Sequence, residues 1–124
     1  MRTYFFALVI LSAVLLAHMF GLTGAYVDID GYDIMMHILG GVGIGLFVAA
    51  ILKLHGQHVK HPRLTIIFWV IIAGLLWEFF EIYYDLIGYP FGTKGYWVDT
   101  IKDMIDDTIG GAVVAWITNR KHGV

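Results

Sequence analysis

Tyr4-Phe-Phe-Ala-Leu-Val-Ile-Leu-Ser-Ala-Val-Leu-Leu-Ala-His-Met-Phe20 (residues 4–20) is an apolar run interrupted only by Ser12 and His18. A bilayer crossing needs about 20 mostly apolar residues, so this stretch reads as a transmembrane helix. Arg2 ahead of it and Thr23-Gly24-Ala25 behind it resemble the flanks of a signal peptide. The run is longer than a typical signal core, and we read it as a span. Two further runs follow, Ile34–Leu52 with His37 near its start, and Leu64–Ile87 with Glu78, Glu81 and Asp85 in its second half. A fourth, Asp99–Thr118, is polar at first and apolar from Ile109 on. The expected fold is therefore all-α: one membrane domain over residues 1–124, built as a four-transmembrane-helix bundle.

Composition supports this reading. Of 124 residues, 59% are apolar and 15% charged, against about a quarter charged in soluble domains. Mean hydropathy is +0.76. With no cysteine, disulfides, thiolate metal sites and cysteine nucleophiles are excluded. The net charge of −2 and the lack of a basic run give no footprint for nucleic acid.

Basic residues set the orientation, because Lys and Arg collect in cytoplasmic loops. Arg2 precedes the first span, Lys53, Lys60 and Arg63 lie between the second and third, and Arg120 and Lys121 follow the fourth. Both termini and the 53–63 loop are expected in the cytoplasm, in a multi-pass protein of the plasma (inner) membrane. Tyr26, Tyr32, Tyr83, Tyr84, Tyr89, Tyr96 and Trp97 then fall near the opposite face, as an aromatic belt does. His55, His58 and His61 lie in the cytoplasmic loop, where a short polar connection explains them better than a metal site.

All ten acidic residues fall in residues 28–33, 78–85 or 99–107, on the outer side in this orientation. At ~1.5 Å rise per residue, His37 lies roughly 5 Å deep, Glu81 and Asp103 about 6 Å, Glu78 about 10 Å and Asp107 about 12 Å. Spacing puts them in narrow stripes: Asp33 with His37, Glu78 with Glu81 and Asp85, and Asp99 with Asp103 and Asp107. Charged groups at such depth face a bundle interior or a water-filled cavity. Gly40, Gly41, Gly43 and Gly45 below His37, and Gly110 and Gly111 below Asp107, provide small faces for close helix packing.

Six carboxylates, Asp33, Glu78, Glu81, Asp99, Asp103 and Asp107, with only Lys102 and a protonated His37 to offset them, need compensation. Either several remain protonated and share hydrogen bonds, or a divalent cation binds, since carboxylates and imidazole suit Mg, Mn, Fe or Zn. The candidate ligands are His37, Glu78, Glu81, Asp103 and Asp107, supported by Asp33, Asp99, Gly40, Gly41 and Gly110. The plainer alternative is that Asp99, Lys102 and Asp103 form a solvated helix start, where the dipole favours acids. Asp28 and Asp30 read as loop residues.

Three motifs, Asp33-Ile-Met-Met-His37, Trp77-Glu78-Phe-Phe-Glu81 and Asp103-Met-Ile-Asp-Asp107-Thr-Ile-Gly110, resemble in order and spacing the VanZ-like family of small bacterial membrane proteins. Its members carry Asp-x-x-x-His, Glu-x-x-Gln and Asp-x-x-x-Asn-x-x-Gly on successive spans. Trp97-Val-Asp99-Thr-Ile-Lys-Asp103-Met104 also resembles a related group of inner-membrane proteins that carries Glu-x-x-Glu. The resemblance covers roughly residues 32–115. Glu81 stands for the family's Gln, Asp107 for its Asn, and Ile34 for the usual Lys. The first two add negative charge and favour a cation site over a neutral hydrogen-bond network. The family's link to teicoplanin resistance implies a cell-envelope role.

Three functional classes remain open at this level. One is a metal-dependent enzyme on an envelope lipid head group, and the second an ion or proton pathway, which four spans would support only in a homo-oligomer. The third is a structural or accessory subunit docking a membrane-protein partner.

Overall fold

A computed structural model of the chain describes residues 2–54, 59–86 and 88–119, all helical or loop with no strand among them. The elements are α1 (Arg2–Phe20), α2 (Tyr26–Asp28), α3 (Tyr32–Leu54), α4 (Pro62–Tyr83) and α5 (Lys94–Asn119). Three helical segments, Arg2–Asp28, Tyr32–Leu54 and Pro62–Tyr83, are long and apolar enough to cross a membrane. Their outward side chains are apolar too: Phe5, Leu16, Leu64, Phe68 and Leu76 are more than half exposed, as a lipid-facing surface requires. The chain is a multi-pass membrane protein.

The first segment runs beyond the expected Phe20. At Gly21–Ala25 the helix widens to a π turn, and Gly24 takes φ 135°, ψ −19°, a conformation open to glycine and strained for other residues. The kink brings Tyr26 back over α1. Gly31, at φ 77°, completes the reversal into α3. Tyr32 is clamped there by donating its hydroxyl to the Ala17 carbonyl at 2.5 Å. Tyr26 is half-buried and Tyr32 is buried, as is Tyr96. These three pack within the bundle. Tyr83, Tyr84, Tyr89 and Trp97 are exposed.

α4 opens with Pro62 in its first turn, where the missing N–H is no loss. It ends at Tyr83, four residues before the expected boundary at Ile87, which lies outside the described residues. Asp85 adopts a left-handed φ of 53°. Its N–H donates to Ile82 O and that of Leu86 to Glu81 O, at 3.2 and 2.9 Å, the paired bonds of a Schellman end. Asp85 is thus an exposed cap residue and leaves the Glu78–Glu81 stripe. α5 begins five residues earlier than expected, at Lys94. The Thr93 hydroxyl accepts from the Tyr96 N–H at 3.3 Å, an N-cap. Asp103 therefore lies about 13 Å, and Asp107 about 20 Å, along α5 from its start. His55 and His58 lie outside the described residues, and His61 is exposed before α4.

α3 is central, packing on α1, α4 and above all α5. A Cβ on Gly41 would collide with the backbone of Asp107, and one on Gly110 with Ile38 and Val42. The two backbones meet directly there, so each position has room only for hydrogen. Away from this crossing, Ile66, Val70 and Ala115 form a buried apolar core with Ile44, Val48 and Ile67.

Gly41→Ala or Gly110→Ala is expected to destabilise the protein in detergent by about 1–3 kcal/mol or more through overpacking. Gly88→Ala, at a position open to solvent, should change little. A thermal melt of Gly41→Ala matching the parent would refute the backbone contact.

Candidate functional site

The α3–α5 crossing decides where the polar side chains go. His37 stands one turn before Gly41 on α3, and Asp103 and Asp107 lie one turn apart on α5. His37 is buried among three carboxylates. Its Nε2 faces Asp33 Oδ1 and Asp103 Oδ2, each at 3.6 Å, and its Nδ1 faces Asp107 Oδ1 at 3.4 Å. These separations exceed ordinary hydrogen-bond lengths. Asp107 also needs a gap on α4: a Cβ on Gly74 would stand 2.5 Å from its Oδ2. Gly40 leaves ordinary contact distance to Asp107, 3.8 Å from a Cβ to Oδ1.

Lys102 reaches across the mouth of the cluster. Its Nζ donates to Asp33 Oδ2 at 2.6 Å and to Asp103 Oδ1 at 2.5 Å, and lies 3.9 Å from Asp106 Oδ2. Asp103, only 3% exposed, is divided between two basic neighbours, one oxygen accepting from the ammonium and the other 3.6 Å from the imidazole.

α4 supplies the remaining acids. Glu78 is 5% exposed. Its Oε2 accepts from the Thr100 hydroxyl at 2.7 Å, while its Oε1 is buried with no hydrogen-bond partner. Glu81 is half-buried. Donor atoms of Glu78, Glu81 and Asp103 lie within 4.8 Å of one another, as do those of Asp33, His37 and Asp103. The two triads thus share Asp103.

The structure gathers His37, Glu78, Glu81, Asp103 and Asp33 into these triads. Asp107 belongs to neither and stands behind the imidazole, and Asp99 is half-buried one turn before Asp103, outside both. Gly41 and Gly110 form the crossing beneath.

Several participants stand outside the expected ligand set. Thr100 holds Glu78. Asp106, 8% exposed, turns inward with Oδ2 buried and without a hydrogen bond. His18, 5% exposed, shares a 2.8 Å hydrogen bond through Nδ1 with the Tyr26 hydroxyl. It meets the Trp77 ring edge-on at 4.9 Å. A signal existed for His18: the antiparallel return of the chain brings the end of the first run beside the start of the second, where His37 lies.

Residues 2–123 match the family model described as "Predicted membrane protein (DUF2238)", and the chain belongs to that family. No curated protein and no solved structure matches it.

Lys102→Met keeps the aliphatic stem and removes the ammonium from Asp33 and Asp103. A loss of about 1.5–3 kcal/mol is expected for charged hydrogen bonds, near the lower end because Lys102 and Asp33 are each over a third exposed. Adding Asp33→Asn should recover part of that loss. Strictly additive losses in thermal denaturation would show that the two side chains do not interact.

Proposed function

We propose that this membrane protein binds a divalent cation through Glu78, Glu81, Asp103 and His37, drawn from the two triads that share Asp103. The observation that carries this reading is Glu78 Oε1, a buried carboxylate oxygen without a partner in a triad of ligand spacing. Such an atom costs free energy unless something positive meets it. Asp33 and one oxygen of Asp103 already have the Lys102 ammonium, which leaves Glu78, Glu81, the other Asp103 oxygen and the His37 imidazole for the ion.

Two further features support a cation. For bonds of about 2.0–2.2 Å, the ligands of a tetrahedral ion stand roughly 3.3–3.6 Å apart, and His37 Nε2 keeps 3.6 Å to both its Asp33 and Asp103 oxygens. Metal-bound histidines commonly present their other ring nitrogen to a carboxylate, the relation of Asp107 to Nδ1. In this reading Asp107 orients the imidazole and is not itself a ligand. Three carboxylates and one imidazole suit a hard to borderline ion, Mg, Mn, Fe or Zn.

The same reading makes α5 a fourth span in a single membrane domain. Its Asp99, Lys102, Asp103, Asp106 and Asp107 keep it from qualifying on hydropathy, and packing against α3 and α4 shelters its polar face. Lys and Arg placement puts the termini in the cytoplasm and the cation site toward the outer face of the inner membrane. The VanZ-like motifs on α3, α4 and α5 connect the site to the cell envelope.

The test is protein purified without chelator. Elemental analysis should find a divalent metal that the Glu78→Gln/Glu81→Gln variant lacks. Mn2+ titration followed by electron paramagnetic resonance should be saturable. Asp107→Asn should weaken binding about 10–100-fold, and Asp85→Asn, in the exposed cap, should leave it unchanged. Negligible metal in parent and variant alike, with no saturable Mn2+ binding, would remove the proposal.

A further inference from the structure

A cavity of about 300 Å³ lies between α1, α3 and α4, and of the residues in the two triads only His37 lines it. Its walls are apolar, with Leu11 and Val14 on α1, Ile44 on α3, and Val70 and Ala73 on α4 among the lining residues. From Ile44 to His37 it extends about 10 Å along α3. Polar groups gather at one end, where His37, Asp107 and Tyr26 line it. Gly40, Gly41 and Gly74 form the wall there, so no side chain screens Asp107 from the space. Above, the His18–Trp77 ring contact joins α1 to α4.

A pocket that is apolar along its length and polar at one end fits an amphiphile with a single aliphatic chain. Charge selects the head group. Seven carboxylates (Asp33, Glu78, Glu81, Asp99, Asp103, Asp106 and Asp107) crowd this end of the bundle around Lys102 and His37. Carboxylates outnumber the two basic groups there. An anionic head would be repelled, whereas an ammonium would meet Asp107 and satisfy a buried carboxylate. We propose that the cavity binds a long-chain alkylamine, with the ammonium against Asp107, the part of the chain nearest the head along α3 between α1 and α4, and the remainder extending toward the lipid. The binding does not require the cation site, so each stands or falls separately.

The test uses the full chain in phosphatidylcholine nanodiscs with Trp69, Trp97 and Trp116 replaced by Phe, leaving Trp77 at the cavity wall as the only reporter. Dodecylamine should change Trp77 emission saturably, with empty discs subtracting its partition into lipid. Butylamine and dodecanoate should bind at least tenfold more weakly. Asp107→Asn should weaken dodecylamine at least tenfold, as should Ala73→Phe, which fills the cavity. Val14→Phe serves the same purpose if Ala73→Phe does not fold. A response that never saturates, an equal response to dodecanoate, or full affinity in the filled variant would overturn the proposal. Dodecylamine binding in metal-free Glu78→Gln/Glu81→Gln protein is also expected, and its loss there would show that the cavity is not independent of the acidic triad.

Discussion

Everything at the polar end depends on two helix backbones touching. Gly41 of α3 lies against the Asp107 backbone, and Gly110 of α5 against Ile38 and Val42. Close approach through small residues is a general means of packing helices where the hydrophobic effect cannot hold them together. Here it also fixes register, because sliding either helix would put a side chain where none fits. With the register fixed, His37 comes level with both Asp103 and Asp107. Gly74 on α4 does the same for the outer oxygen of Asp107, and Gly111 receives Val70.

The polar groups gathered by this packing are unequal in number. Carboxylates come from α3, α4 and α5, while the basic groups among them are Lys102 and His37. Lys102 is placed to satisfy Asp33 and Asp103 together, and Thr100 satisfies one oxygen of Glu78. What is left over is specific: one oxygen of Glu78 and one of Asp106. In a lipid environment such leftovers are costly. They mark the positions where a bound positive species would have most effect.

Much of the fold was legible from hydropathy, since long apolar runs leave few alternatives. The ends of the helices were less so. Spacing of i, i+3, i+7 puts Asp85 in the Glu78 stripe only while the helix lasts, and a left-handed cap ends it at Tyr83. The start of α5 was hidden because Lys94, Gly95 and Asp99 depress its hydropathy, while the signal that sets it is a single hydroxyl on Thr93. The stripes containing His37, Glu78 and Asp103 could be read because periodicity reports which face a side chain occupies. The exchange of partners could not: that Asp107 stands behind the imidazole, or that Thr100 rather than Asp99 supports Glu78, follows from helix rotation and from distances across the bundle. His18 was missed for a similar reason, because its partners, Tyr26 and Trp77, are set by the kink at Gly24.

Asp103 faces two positive partners, the Lys102 ammonium at one oxygen and, in the proposed reading, the bound cation at the oxygen beside the imidazole. Only a group with acceptors at both ends can serve there. Asparagine has nearly the same shape but carries an amide NH2 at one end, so either rotamer would point hydrogens at a positive neighbour. An ordinarily mild exchange thus becomes a mismatch that flipping the amide cannot relieve, and the position is chemically narrower than its size suggests.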